Sequence, residues 1–193
     1  MPDLRKAIFL DRDGTINEDT GYVSSPDELI IYPWAAEAIR LINGSDFMTV
    51  IVTNQSGVAR GLYTEETLGL IHSRLTGELG RQGARIDAIY YCPHHPRIGD
   101  VRYRIVCECR KPRPGMLLRA SEQYSIDLAA SYVIGDKTSD IDLARGVGAS
   151  AALVLTGYGR ETLAGGRMDI VADNLLEAVK RILDKCGGQG LEI

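Results

Sequence analysis

Phe9-Leu10-Asp11-Arg12-Asp13-Gly14-Thr15 reads as an apolar strand that runs directly into a turn carrying two carboxylates one residue apart. The run 7–10 supplies the strand, and Gly14 lets the chain turn away from it. Carboxylates this close repel, so the pair calls for a cation, and hard oxygen ligands of this kind suit Mg²⁺. Alone, the stretch is equally compatible with a solvated acidic turn. What decides its meaning is whether other strands end in the same way.

Further β-rich runs occur at 48–52, 86–91, 132–134, 152–155 and 170–172. Between them lie helical patterns, with apolar residues at Ala35, Ala38, Leu41 and Ile42, then at Leu68, Ile71, Leu75 and Leu79, and finally at Leu175, Leu176, Val179, Ile182 and Leu183. Shorter helices are expected after Pro114 and Thr138. Strands alternating with helices imply a three-layer α/β/α, Rossmann-like architecture. Its parallel sheet is covered on both faces, and ligands bind beyond the carboxyl ends of the strands. The 193 residues, 45% hydrophobic and 25% charged, contain no linker or repeat and are read as a single domain, 1–193. A chain of this size can bury roughly 70% of its unfolded surface, so a metal is not needed merely to hold it together. The Gly-rich tail after Cys186 reads as frayed.

The other strand ends do carry chemistry. The second runs into Val52-Thr53-Asn54-Gln55-Ser56-Gly57, a cluster of hydroxyls and amides, and the fourth into Gly135-Asp136-Lys137-Thr138-Ser139-Asp140. Between them stands Cys109-Arg110-Lys111-Pro112. Carboxylates, neutral donors and a cation at one sheet edge suit a phosphate ester: cations and hydroxyls neutralise and bond the phosphoryl oxygens while an aspartate attacks phosphorus.

Cys92-Pro93-His94 and Cys107-Glu108-Cys109 lie at the two ends of an irregular insertion, 93–114, and form a zinc-binding loop of about 92–109. Three thiolates and an imidazole match a tetrahedral structural Zn²⁺ site. On spacing alone His95 competes with His94, and the alternative is a set of reduced, buried cysteines. Cys186 is left over and reads as inert. His72, beside the Leu68/Ile71/Leu75 stripe, reads as a helix-surface or partly buried residue and not a catalytic one.

In the order Asp11-Arg12-Asp13-Gly14-Thr15, Thr53-Asn54, Lys111, Gly135-Asp136 with Asp140, the chain resembles the haloacid dehalogenase (HAD) superfamily of phosphotransferases. The resemblance implies that Asp11 is the nucleophile that becomes an aspartyl phosphate and that Asp13 is the acid/base. It also implies that Thr53 and Lys111 hold the transferred phosphoryl group. Catalytic Mg²⁺ would be held by the Asp11 and Asp136 side chains and the main-chain carbonyl of Asp13, with Asp140 in support. The zinc loop narrows the likeness to sugar phosphatases of bacterial nucleotide-activated heptose synthesis. It selects Cys92, His94, Cys107 and Cys109 as the zinc ligands. That subfamily implies hydrolysis of the C7 phosphate of a heptose 1,7-bisphosphate, with no large cap domain. Substrate would be recognised by Asp19, Thr20, Gly21 and Tyr22, by Thr53, Asn54, Gln55 and Ser56, and by Arg110, Lys111 and Lys137.

Net charge −4, from 22 basic and 26 acidic residues, argues against nucleic-acid and anionic-membrane partners. The short apolar stretch near the start, broken by charge, gives neither a signal peptide nor a membrane span. The expectation is therefore a cytoplasmic, monomeric enzyme with a small sugar bisphosphate as its partner. Three rivals share features with it. Histidinol-phosphate phosphatases have the same motifs and a similar zinc loop, polynucleotide 3′-phosphatases the same chemistry, and a catalytically inactive zinc-stabilised interaction module the same loop.

Overall fold

The computed structural model describes residues 4–163 and 168–187. Six strands form one parallel sheet: β1 (Lys6–Leu10), β2 (Phe47–Asn54), β3 (Ala88–Cys92), β4 (Tyr132–Gly135), β5 (Ser150–Val154) and β6 (Ile170–Ala172). Their spatial order is β3-β2-β1-β4-β5-β6. The chain builds outward from β1 to one side, then returns to the middle and builds outward from β4 to the other. The order therefore reverses between β1 and β4, and the crevice outside the carboxyl ends of these two strands is where an open α/β sheet accommodates a ligand.

Consecutive strand residues bury opposite faces, which is why the strands read as unbroken apolar runs. Ile8 and Leu10 of β1 join a core with α1 (Ala35–Asn43), α2 (Glu65–Arg81) and α6 (Leu175–Gly187). Ala7 and Phe9 join a second core with α3 (Gly115–Tyr124) and α4 (Thr138–Gly146). This is the three-layer α/β/α arrangement expected.

The strand boundaries differ from the sequence pattern in instructive ways. β3 begins at Ala88, two residues later than expected, because the Asp87 side chain accepts the Thr49 amide at 2.8 Å and ends the preceding segment. The strand then runs on to Cys92, paired with Asn54 in β2. β5 spans Ser150–Val154 where 152–155 was expected. A 3₁₀ turn at Pro26–Glu28 and a four-residue helix, α5 (Gly159–Thr162), had no sequence signal. The tail expected to fray lies, from 188 onward, outside the described residues.

Only short segments separate β1 from α1 and β2 from α2, which leaves no room for a large cap. Between β3 and α3 the chain has neither helix nor strand. No helix among the described residues is long and apolar enough to cross a membrane.

Candidate active site

Asp11 and Asp136 follow the ends of β1 and β4, neighbours at the sheet's point of reversal. Asp11, Asp136 and Asp140 each bring a buried carboxylate oxygen to within 4.8 Å of the others. Burial, and after it the Asp11 charge, pushes the Asp136 carboxyl up to about 7. Its Oδ1 is buried without a hydrogen-bond partner. An orphaned anionic oxygen among crowded carboxylates is what a hard divalent cation would satisfy, so these residues fit Mg²⁺. Gly14 is fixed by the same crowding. It has φ +84°, and a Cβ there would lie 2.3 Å from Asp136 Oδ2.

Lys111 is a buried cation at the Asp11 end of the site. Its Nζ lies 2.9 Å from Asp11 Oδ1 and 2.6 Å from Asp140 Oδ1, and it donates to the Val52 carbonyl at 2.9 Å. Burial disfavours the ammonium, but the two carboxylates outweigh it and hold Lys111 above its usual range, so it stays charged. The Asn54 side chain fixes the lysine's backbone, accepting from its N–H at 3.0 Å and donating to its carbonyl at 3.2 Å.

Asp13 is arranged differently from Asp11. Arg12 NH2 reaches both its oxygens at 2.8 and 2.9 Å, and Asn17 and Gln55 donate to it at 2.9 and 2.8 Å. Burial pushes the Asp13 carboxyl up, but the Arg12 charge and these hydrogen bonds outweigh it and leave the group below the usual carboxylate value. Gln55 also donates to Thr53 Oγ1 at 2.8 Å and accepts from the Tyr63 hydroxyl at 2.7 Å.

A cavity of about 340 Å³ opens above these groups. Of the residues expected to meet substrate, Asp19, Gly21, Tyr22, Asn54, Gln55, Ser56, Arg110, Lys111 and Lys137 line it. Thr20 is exposed and outside the lining, and Thr53 is buried behind Gln55. Lys137 is already engaged, 2.7 Å from Asp19 Oδ2 and 5.0 Å from the Tyr158 ring centroid. Tyr158 also lines the cavity, and its N–H donates to Asp136 Oδ2 at 2.8 Å. A single tyrosine in a loop gave no sequence signal for this position.

The cysteines also converge. Cys92, Cys107 and Cys109 Sγ atoms lie 3.2 to 3.5 Å apart, and His94 Nδ1 is 3.3 Å from Cys109 Sγ. Burial, then the neighbouring thiols, pushes the Cys92 thiol well above its usual range. No cysteine is disulfide-bonded, so three close sulfurs and a ring nitrogen need a cation between them, and the set fits tetrahedral Zn²⁺. His95 is used elsewhere, its Nδ1 accepting the Arg97 and Ile98 amides at 3.1 and 3.0 Å.

The HAD-hydrolase-like family model matches residues 108–178. D-glycero-beta-D-manno-heptose-1,7-bisphosphate 7-phosphatase of Yersinia pestis is 42% identical over 91% of this chain and 94% of its own length. The Escherichia coli K12 protein of the same name is 43% identical over 91% and 93%. The chain belongs to the D-glycero-beta-D-manno-heptose-1,7-bisphosphate 7-phosphatase family. Among solved structures, the D,D-heptose 1,7-bisphosphate phosphatase of Bordetella bronchiseptica, complexed with magnesium and phosphate, superposes with TM-score 0.84. It is 40% identical and covers 93% of this chain and 99% of its own.

Within this heptose-bisphosphate phosphatase framework, the burial of His72 departs from its expected helix-surface or partly buried position. His72 is 8% exposed, with Nε2 3.3 Å from Arg12 NH1. Burial, then the Arg12 charge, lowers its pKa from 6.5 to about 4. Folded His72 is therefore neutral where unfolded His72 takes up a proton, and stability falls as pH drops from 6.5 toward 4. This residue should account for about 2 kcal/mol of lost stability between pH 7 and pH 5. Urea unfolding of His72→Gln should follow a flatter pH profile than wild type by that amount. Parallel profiles would exclude a buried neutral His72.

Proposed function

We propose that this protein hydrolyses the C7 phosphate of D-glycero-β-D-manno-heptose 1,7-bisphosphate through an aspartyl-phosphate intermediate. The single observation that carries the chemistry is the placement of Asp11. It is buried, aligned by the Lys111 ammonium at 2.9 Å, and crowded by Asp136 and Asp140 at the sheet's point of reversal. The substrate rests on the family relationship and on a cationic cavity sized for a small sugar.

Asp11 Oδ attacks phosphorus while Lys111 neutralises the phosphoryl oxygens, and Asp13 protonates the departing C7 alkoxide. An incoming dianionic ester beside Asp13 raises its proton affinity for that step. The Arg12, Asn17 and Gln55 contacts favour the carboxylate form needed afterwards, when Asp13 takes a proton from the water that cleaves the aspartyl phosphate. Asp11, Asp136 and the Asp13 carbonyl would hold Mg²⁺, which supplies the positive charge that lets an anionic nucleophile meet an anionic ester. Cys92, His94, Cys107 and Cys109 would hold Zn²⁺, which organises the loop without an open position for chemistry.

Arg110 suits the second phosphate because its guanidinium can bind it through two nitrogens. The Arg110→Ala variant should lose about ten- to a hundredfold in kcat/KM on the bisphosphate, the worth of a charged hydrogen bond, and much less on p-nitrophenyl phosphate. Histidinol phosphate offers an ammonium where the bisphosphate offers an anion, and like charges disfavour it. Side-by-side kinetics on both substrates test the assignment. Preference for histidinol phosphate would reassign the substrate while leaving the chemistry in place.

A further inference from the structure

The cations around the cavity are unequally committed. Lys111 is paired with Asp11 and Asp140, and Lys137 with Asp19. Among the described residues, Arg110 and Arg60 pair with no carboxylate. Arg110 donates to the His94 carbonyl at 3.1 Å, which ties it to the Cys/His loop. Arg60 is exposed, one turn past Ser56 in the loop after β2, with its N–H donating to the Ser56 carbonyl at 3.1 Å. Its guanidinium carbon sits 5.8 Å from the ring centroid of Tyr22, and Tyr22, Ser56 and Arg110 all line the cavity.

Arg60 is also stitched to the Cys/His loop. The Ala59 N–H donates to the Pro93 carbonyl at 3.2 Å, and the Asp100 N–H donates to the Ala59 carbonyl at 2.9 Å. Gly99 allows that contact, having φ +105° and no side chain, since a Cβ there would lie 1.7 Å from the Ala59 oxygen. One loop therefore holds both uncommitted arginines.

We propose that Arg60 is a specificity-determining residue that, with Arg110, receives the distal phosphate of a sugar bisphosphate at the Tyr22 side of the cavity. This rests on the phosphatase reading of the site and adds to it a second guanidinium for the anion that is not transferred. Lys137, neutralised by Asp19 and stacked on Tyr158, then serves the cavity wall and not the distal anion. Two guanidiniums on backbone tied to one loop match the charge of a dianionic phosphate.

The test is steady-state kinetics of wild type, Arg60→Ala and Arg60→Lys with Mg²⁺ on three substrates: heptose 1,7-bisphosphate, heptose 7-phosphate and p-nitrophenyl phosphate. Arg60→Ala should raise KM for the bisphosphate about ten- to a hundredfold with kcat little changed, and affect the two monophosphates far less. Arg60→Lys should recover part of the loss because it keeps the charge. Equal losses on mono- and bisphosphates, or no loss on the bisphosphate, would overturn the subsite while leaving the phosphatase reading intact. A wild-type protein inert on all three substrates would overturn the phosphatase reading and the subsite with it.

Discussion

The Asp11→Asn variant is expected to stop turnover, with kcat falling by about four to six orders of magnitude, the scale seen when a covalent nucleophile is removed. An amide at this position keeps the shape of the side chain but cannot form the acyl phosphate. Binding should survive and can tighten, because the substitution removes an anion facing an anionic ester. Two local consequences separate this from a folding defect. Lys111 keeps Asp140 at 2.6 Å and the Val52 carbonyl at 2.9 Å, so the buried ammonium remains paired. Asp136 loses the Asp11 charge that helps push its carboxyl up to about 7, so its pKa should drop. Rapid-quench measurement with ³²P-labelled substrate should show labelled protein for wild type and none for the variant. Wild-type turnover in Asp11→Asn would end the aspartyl-phosphate mechanism.

A Cys107→Ser, Cys109→Ser double variant should lose zinc and about a hundredfold in kcat/KM on the bisphosphate, the cost of misplacing positioning groups by about an ångström. Cys109 immediately precedes Arg110 and Lys111, and Asn54 clamps the Lys111 backbone from the neighbouring strand. Cys92 ends β3 and its carbonyl accepts the Gln55 N–H at 2.8 Å. The ligand set is therefore tied to Gln55 as well as to Arg110 and Lys111, all of which line the cavity. Cys92 belongs to the core beneath α3 and α4, with Cys107 and Cys109 packed against its edge, so the variant should keep its sheet but melt earlier. Metal analysis checks zinc content, and circular dichroism checks the fold. Full activity in the double variant, or no zinc in protein purified without chelator, would contradict the proposal.

The layers of this fold are legible in the sequence because a parallel sheet buried on both faces writes itself as unbroken apolar runs. The turn after β1 is legible for a different reason: Asp11, Asp13 and Gly14 are local, and the clusters that end the other strands, each itself local, give their pairing its meaning. What stayed hidden depends on residues far apart in the chain. Lys137 reads as a free cation until Asp19, 118 positions away, is found beside it. His72 reads as a helix-face residue because nothing nearby reveals that Arg12 packs against it. Spacing leaves His94 and His95 equivalent, and the fold separates them: His94 Nδ1 lies among the cysteine sulfurs, whereas His95 Nδ1 accepts two amides. Arg60 is hidden in the same way, since its place at the rim depends on contacts between the loop after β2 and Gly99 and Asp100.

The order of the strands carries a consequence for how the protein comes to life on the ribosome. The first half of the chain builds β1, β2 and β3 by neighbouring pairings, but β1 meets β4 only after more than a hundred further residues have emerged. Asp11 and Asp136 face one another only across that seam. A nascent chain or proteolytic fragment ending before β4 could carry an intact acidic turn and yet have no partner for it. The seam between the halves is a high-contact-order event, slow relative to the local pairings. Reactive capacity therefore arrives only once β4 pairs with β1, and a chain ending before β4 should release no phosphate.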